Sequence, residues 1–227
     1  MRYALCAFPL VGVVLGGLCL LWDTLARLLM LPGLLRGAGL CLLPVAVTGG
    51  IHLDGYADTC DALASHGDHA RRQEILKDPH IGAFGVIWLC SYFAADLALW
   101  TALPGQADGA VWLSFCLSRT LSGLAVATFP LARNTGLAHT FSAAADQKRT
   151  AWVLTGLAVL LAAGMALLGW DGAAAALAGL GVFAWYRRMA RKEFGGLSGD
   201  LAGWFLQAAE LAMLAALCLV RYGEELL

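Results

Sequence analysis

Long apolar runs separated by short polar stretches set the pattern of this chain. Ala4–Trp22, Gly82–Leu103, Ala110–Leu131, Ala151–Trp170 and Leu201–Val220 are each long enough, as helices, to cross a hydrocarbon core of about 30 Å. Gly172–Tyr186 is shorter and pairs with the run before it through a tight Trp170-Asp171-Gly172 turn. Leu25–Ile51 is apolar but interrupted by Arg27, Pro32, Gly33 and Arg36, and reads as an interfacial piece followed by one span from Gly37. Gly12 and Gly16 form a small-xxx-small face suited to close helix packing. The expected fold is all-α: a polytopic bundle of six to seven spanning helices, one membrane-embedded domain over residues 1–227.

Basic residues are shared unevenly among the connections. Of fifteen lysines and arginines, three fall in 52–80, three in 132–149 and four in 187–200, whereas the turns at 104–109 and 171 have none. Loops rich in lysine and arginine stay on the cytoplasmic side. These three connections and the amino terminus are therefore expected at the cytoplasmic face of an inner membrane, with the carboxyl terminus outside after seven spans.

One of these connections carries most of the chemistry. The stretch Thr48–Gly85 reads TGGIHLDGYADTCDALASHGDHARRQEILKDPHIGAFG and holds Asp54, Asp58, Asp61, Glu74 and Asp78 with Arg71, Arg72, Lys77 and four of the five histidines. On a helix, Asp54, Asp58 and Asp61 fall at i, i+4 and i+7, along one face about two turns long. Carboxylates stacked in this way repel unless a cation lies among them. Hard oxygen donors select Mg²⁺ or Mn²⁺, which complete their shells with water and substrate phosphates. A solvated acidic face is the bland reading; it is weakened by the scarcity of acids, since three of sixteen share this face.

Around the ladder, Arg71, Arg72 and Lys77 supply positive charge for phosphate oxygens, and would equally anchor a membrane surface. Arg71, Glu74 and Asp78 are expected on a second helical face that Pro79 ends. Gly49, Gly50 and Gly55 permit close backbone approach or unusual dihedrals, although Gly-Gly alone is also an ordinary turn signal. His52, two residues before the first acid, is placed to orient a carboxylate or touch substrate. A zinc site from His52, Asp54, His66 and His69 is poorly supported, because the four do not share a helical face; His66 and His69 read as solvated loop residues.

Composition narrows the class further. At 60% hydrophobic, 14% charged and a mean hydropathy of +0.72, the chain has too little polar surface for a soluble globule. A net charge of −1 leaves no basic footprint for nucleic acid. Seven cysteines show no CxxC spacing and lie mostly in apolar runs, as small packing residues do.

Ionisable groups inside apolar segments are costly and mark candidate sites. Asp96, Arg119 and Glu210 are of this kind. Asp200, Gly203, Gln207 and Glu210 share one helical stripe, which brings Asp200 to the mouth of the bundle as a further oxygen ligand. Glu210 either joins that set or pairs with Arg119 inside the bundle. Gly195, Gly196 and Gly199 leave the preceding loop free to approach a phosphate. A secondary transporter would concentrate its acids at the midplane and carry internal repeats; here the densest acids lie in a connection and no repeat is evident.

The same segments carry a family resemblance. TGGIHLDGYADTCD at 48–61, EILKD at 74–78 and IGAFG at 81–85 resemble the signature of cobalamin synthase, the membrane-bound adenosylcobinamide-GDP ribazoletransferase family: TGG-x-HLDG-x-ADT-x-D, a basic stretch, EI-x-KD and IG-x-FG. GGLSGDLAGWFLQAAEL at 195–211 resembles the carboxy-terminal block of that family. Ser118-Arg119 with LARNTGLAHTF at 131–141 is a weaker third match. Ala62 stands where the family commonly has Gly, and the segment before Phe8 is short for the family.

The resemblance implies attack of the 3'-hydroxyl of α-ribazole, or of its 5'-phosphate, on the cobinamide-linked phosphoryl of adenosylcobinamide-GDP. Adenosylcobalamin, or its 5'-phosphate, and GMP would result. On this reading Asp54, Asp58, Asp61 and His52 are catalytic, and Asp54, Asp58, Asp61 and Asp200 hold Mg²⁺, or Mn²⁺ in its place. Arg71, Arg72, Lys77, Arg119, Gly49, Gly50 and Asp200 contact substrate. The lipid bilayer is the other expected partner, and a homo-oligomer or association with other cobalamin-assembly enzymes is compatible. Membrane phosphatidyltransferases acting on CDP-alcohols use D-x-x-D-G-x-x-A-R; DGYADTCD has no Ala-Arg at that spacing.

Overall fold

The computed structural model describes residues 2–132 and 136–226. They form ten helices: α1 (Ala4–Leu28), α2 (Gly33–Thr48), α3 (Ile51–Ala64), α4 (His69–Ile75), α5 (Ala83–Ala102), α6 (Gly109–Thr128), α7 (Gly136–Ala144), α8 (Gln147–Leu168), α9 (Trp170–Phe194) and α10 (Gly199–Glu225). Five of these, α1, α5, α6, α8 and α10, are long and apolar enough to cross a membrane. A sixth would be counted if α2 and α3 were one span bent by 96°. With three carboxylates on it, α3 is too polar for hydrocarbon and lies outside the spanning segments. The chain is thus a multi-pass membrane bundle, as its apolar pattern predicts.

Helix α9 also runs from one end of the bundle to the other. Asp171 at its start accepts from Arg221, and Glu193 near its end accepts from Arg72. It extends well past Tyr186, the expected limit, because its last turns leave the apolar layer and carry arginines. With α2 and α9 included, the chain passes between the two ends seven times.

Helix α6 is the axis of the bundle. Fifteen of its residues are buried against α1, α8, α9 and α10. Gly12 and Gly16 of α1 lie directly against Phe115, Cys116 and Trp112 of α6, where any side chain would collide. The small-xxx-small face is the α1–α6 contact.

Two charges read as span breaks are instead consumed within the fold. Asp23 lies inside α1 and is 1% exposed. It accepts from Arg27 Nε at 3.0 Å, Arg36 Nη1 at 3.1 Å and the Ala107 amide at 2.9 Å. With both arginines held by Asp23, α1 continues to Leu28 and α2 starts at Gly33, so there is no separate interfacial piece. Arg36→Met would take one of two cations from buried Asp23, which keeps Arg27 and the Ala107 amide, at a cost of about 1–3 kcal/mol. The expected result is a clear drop in midpoint temperature in detergent, largely reversed when Asp23→Asn is added.

These contacts define the ends. At one lie Arg27, Arg36, Gly105, Asp108, Asp171 and Arg221. At the other lie the amino terminus, tied by Arg2 to Asp146 at 3.0 Å, with α3, α4, α7 and the start of α10. Every matched motif block reaches this second end.

Candidate active site at the motif end

The site begins with a turn. Gly49 and Gly50 both have left-handed backbones, at φ +65° and +76°, a conformation that costs glycine little and other residues more. They end α2 and send α3 off at 96°. Helix α3 then crosses the start of α10 with almost no side chain between them. A Cβ on Gly55 would stand 2.6 Å from the Asp200 carbonyl oxygen, and one on Gly203 would stand 2.9 Å from that of His52. This contact brings the carboxylates of the first motif against that of the last.

The electrostatics report the same convergence. Asp58 is half-buried, and its carboxyl is pushed up to about 6, first by burial and then by the charges of Asp54, Asp200 and Asp61. The charges of Asp54, Asp200 and Asp61 thus all bear on Asp58 near the α3–α10 crossing. Asp61 is also engaged elsewhere: it accepts from the Gly85 amide at 3.1 Å and packs against Gly82, so it pins the amino-terminal turn of α5 and with it the IGAFG segment. A carboxylate is favoured there by the helix dipole. Burial and then Arg119 push His52 down to about 4, so its imidazole is neutral near pH 7.

Among the described residues no three histidine, cysteine or acidic side chains converge into a ready-made metal cage. Magnesium does not need one, since it usually takes one or two carboxylates, substrate phosphates and several waters. Oxygen donors alone, mutually repelling and open to the mouth, fit such an ion.

Beside these acids is a cavity of about 600 Å³ between α1, α3, α6, α7 and α10. Its walls are largely apolar, with Leu5, Phe8, Val126, Phe141 and Leu206, and its polar lining includes His52, Asp54 and Asp200.

The cations of the first motif are placed differently. Helix α4 caps the end of α9: Arg72 donates to the Glu193 carbonyl at 3.2 Å and to its carboxylate at 2.5 Å, and Gln73 donates to the Phe194 carbonyl at 2.9 Å. His69, read as a solvated loop residue, is exposed but has Nε2 at 2.6 Å from the Lys192 carbonyl oxygen. Arg71 pairs with Glu74 at 2.7 Å, both exposed. Lys77 is exposed, with no ion pair among the described residues. Asp78 does not share their helical face, because α4 stops at Ile75; it accepts from the His80 amide at 3.0 Å instead.

Arg119 lies inside the bundle, 1% exposed, paired with Glu210 and donating to Ser118 at 2.9 Å. That is the second of the two roles expected for Glu210. Asp96 is buried and lines the same interior cavity as Arg119 and Glu210. Arg133, in the weaker motif block, lies outside the described residues.

Ser198 went unread in the sequence, and Gly55 and Gly203 were read there without their partners. Ser198 caps α10 by accepting from the Leu201 amide at 3.2 Å, and its hydroxyl reaches Asp200 at 3.5 Å. Gly55 and Gly203 make the crossing possible. The Ser-Gly-Asp order before an apolar helix is a capping signal that would have found the first.

Comparison with known proteins agrees with the motif blocks. The cobalamin-5-phosphate synthase family model matches residues 1–218. This chain belongs to that family. Its relatives include the adenosylcobinamide-GDP ribazoletransferase of Lachnoclostridium phytofermentans, 41% identical over 212 residues, which cover 93% of this chain and 81% of the relative. That of Ectopseudomonas mendocina is 40% identical over 219 residues, 93% and 86% of the two chains. That of Pseudomonas aeruginosa PAO1 is 36% identical over 221 residues, 96% and 87%. No solved structure matches. Membership of the cobalamin-5-phosphate synthase family does not favour the phosphatidyltransferase or transporter readings.

Proposed function

We infer that this chain joins adenosylcobinamide-GDP to α-ribazole, or to its 5'-phosphate, releasing GMP and adenosylcobalamin or its 5'-phosphate. The observation that carries the reading is the α3–α10 crossing, which sets the acids of the family signature beside a cavity of nucleoside size. A cavity of about 600 Å³ suits a ribonucleoside with a flat aromatic base and is too small for a corrin with its axial ligand. The base would lie against Phe8, Val126 and Phe141, with the ribose turned toward Asp54 and Asp200. The corrinoid would stay outside, presenting its diphosphate at the mouth.

In this arrangement Asp54 or Asp200 accepts the proton of the ribose 3'-hydroxyl as it attacks the cobinamide-linked phosphoryl. The bond from that phosphorus to the bridging oxygen breaks, and GMP leaves with the oxygen. Asp54, Asp58 and Asp200 would hold Mg²⁺, or Mn²⁺, while Asp61 keeps α3 and α5 in register. The ion would supply positive charge to the diphosphate and the leaving phosphate. Arg71 and Lys77, the exposed cations of the segment, would meet the outer phosphate oxygens. The lysines and arginines of the connections at this end support an orientation toward the cytoplasmic face of the inner membrane.

The test is turnover in lipid vesicles given both substrates, following GMP and corrinoid product together. Equimolar appearance of the two supports the reading, and GMP release without ribazole would show hydrolysis instead. Phe141→Ala should raise KM for α-ribazole about tenfold, the effect of losing part of a ring's apolar contact. KM for adenosylcobinamide-GDP should stay unchanged in the same assay.

A further inference from the structure

We propose that the end of α9 holds a binding site for the phosphate of an anionic phospholipid, apart from the carboxylate cluster. Arg187, Arg188, Arg191 and Lys192, with His69 and Ala184, line an open hollow of about 700 Å³ with no carboxylate in its wall. All four cations are exposed. Arg187 stacks over the Phe129 ring at 5.7 Å and Lys192 reaches Glu193 at 3.2 Å. Arg188 and Arg191 have no hydrogen bond or ion pair among the described residues.

A helix end often gathers cations to meet its last carbonyls. Here those carbonyls are already served: His69, Arg72 and Gln73 of α4 contact the Lys192, Glu193 and Phe194 oxygens. Arg187 and Arg188 also lie more than a turn before the end. The cations thus answer to something outside the protein.

Depth identifies that ligand. Trp185 is 53% exposed and sits two residues before Arg187, and exposed Trp88 and Trp152 lie near the same end of α5 and α8. Exposed tryptophans settle at the membrane interface, which puts the hollow at the level of lipid headgroups. Toward the membrane interior, Leu177 and Leu180 of α9 are exposed and offer a surface to acyl chains. Guanidinium groups bind a phosphodiester in forked geometry, and basic pockets beside spanning helices take anionic headgroups.

The experiment is native mass spectrometry of the full chain released from bilayers of phosphatidylglycerol and phosphatidylcholine. The wild type should retain phosphatidylglycerol selectively. Arg188→Gln with Arg191→Gln should weaken that retention roughly thirtyfold, the factor that removing two such charges implies. Arg188→Lys with Arg191→Lys should restore most of it, and turnover of the glutamine variant in phosphatidylcholine vesicles should match wild type, showing that it is folded. Unchanged retention in the glutamine variant, or equal retention of phosphatidylcholine, overturns the proposal. Displacement of the lipid by millimolar inorganic phosphate would also overturn it, in favour of a soluble phosphate ligand.

Discussion

Asp58→Asn should lower turnover by about 10²–10³-fold, the scale on which one preorganised charge contributes to a transition state, while the protein remains inserted and folded. Asp58 is the member of the cluster on which Asp54, Asp200 and Asp61 all act, and its carboxyl is held near 6 by burial and by those three charges. An asparagine keeps the shape and removes the charge. Without a divalent ion, the variant should be at least as resistant to heat as wild type, because a repulsion has been relieved. With the ion and substrate it should gain less stabilisation than wild type. Activity down and metal-free stability level or up is the signature of acids kept for function. Full activity in Asp58→Asn would remove the carboxylate cluster from the mechanism.

Gly55→Val should be nearly as damaging, by a different route. The first carbon of the new side chain would already stand 2.6 Å from the Asp200 carbonyl oxygen and 2.8 Å from its Cα, both backbone atoms that cannot swing aside. Helices α3 and α10 must separate or slide. Overpacking of this kind costs about 1–3 kcal/mol, and a shift of about 1 Å in a reacting constellation costs around a hundredfold in rate. The expected result is a modest drop in midpoint temperature, a rate lower by about two orders of magnitude and a cavity that still binds α-ribazole. Wild-type turnover would mean that the two helices need not touch.

Both predictions use residues that lie in plain view in the sequence, yet only one could be read there in full. The ladder of Asp54, Asp58 and Asp61 follows from helical spacing alone, and the bundle from the apolar runs. Gly55 reads in the sequence as a glycine that permits close backbone approach, but the pattern does not name what passes over it. Long-range pairing was equally hidden. Arg72 meets Glu193 across 121 positions, and Asp23 meets Arg36 between two helices, so charges read as phosphate ligands or span breaks are neutralised by partners distant along the chain. Asp61 shows the remaining gap: its spacing puts it on the face of the other two acids, and only the arrival of α5 shows that its oxygen also binds the Gly85 amide.

The proposed mechanism requires the acids near the α3–α10 crossing to hold a divalent ion against the substrate diphosphate. Electron paramagnetic resonance of Mn²⁺, titrated into the vesicle-embedded protein with and without adenosylcobinamide-GDP, tests it most directly when paired with turnover in chelator. Little Mn²⁺ should bind without substrate, the site should fill when substrate is added and be lost in Asp58→Asn, and there should be no turnover until Mg²⁺ or Mn²⁺ is restored. Undiminished product formation in chelator, or equal Mn²⁺ binding by wild type and Asp58→Asn with substrate present, would contradict it.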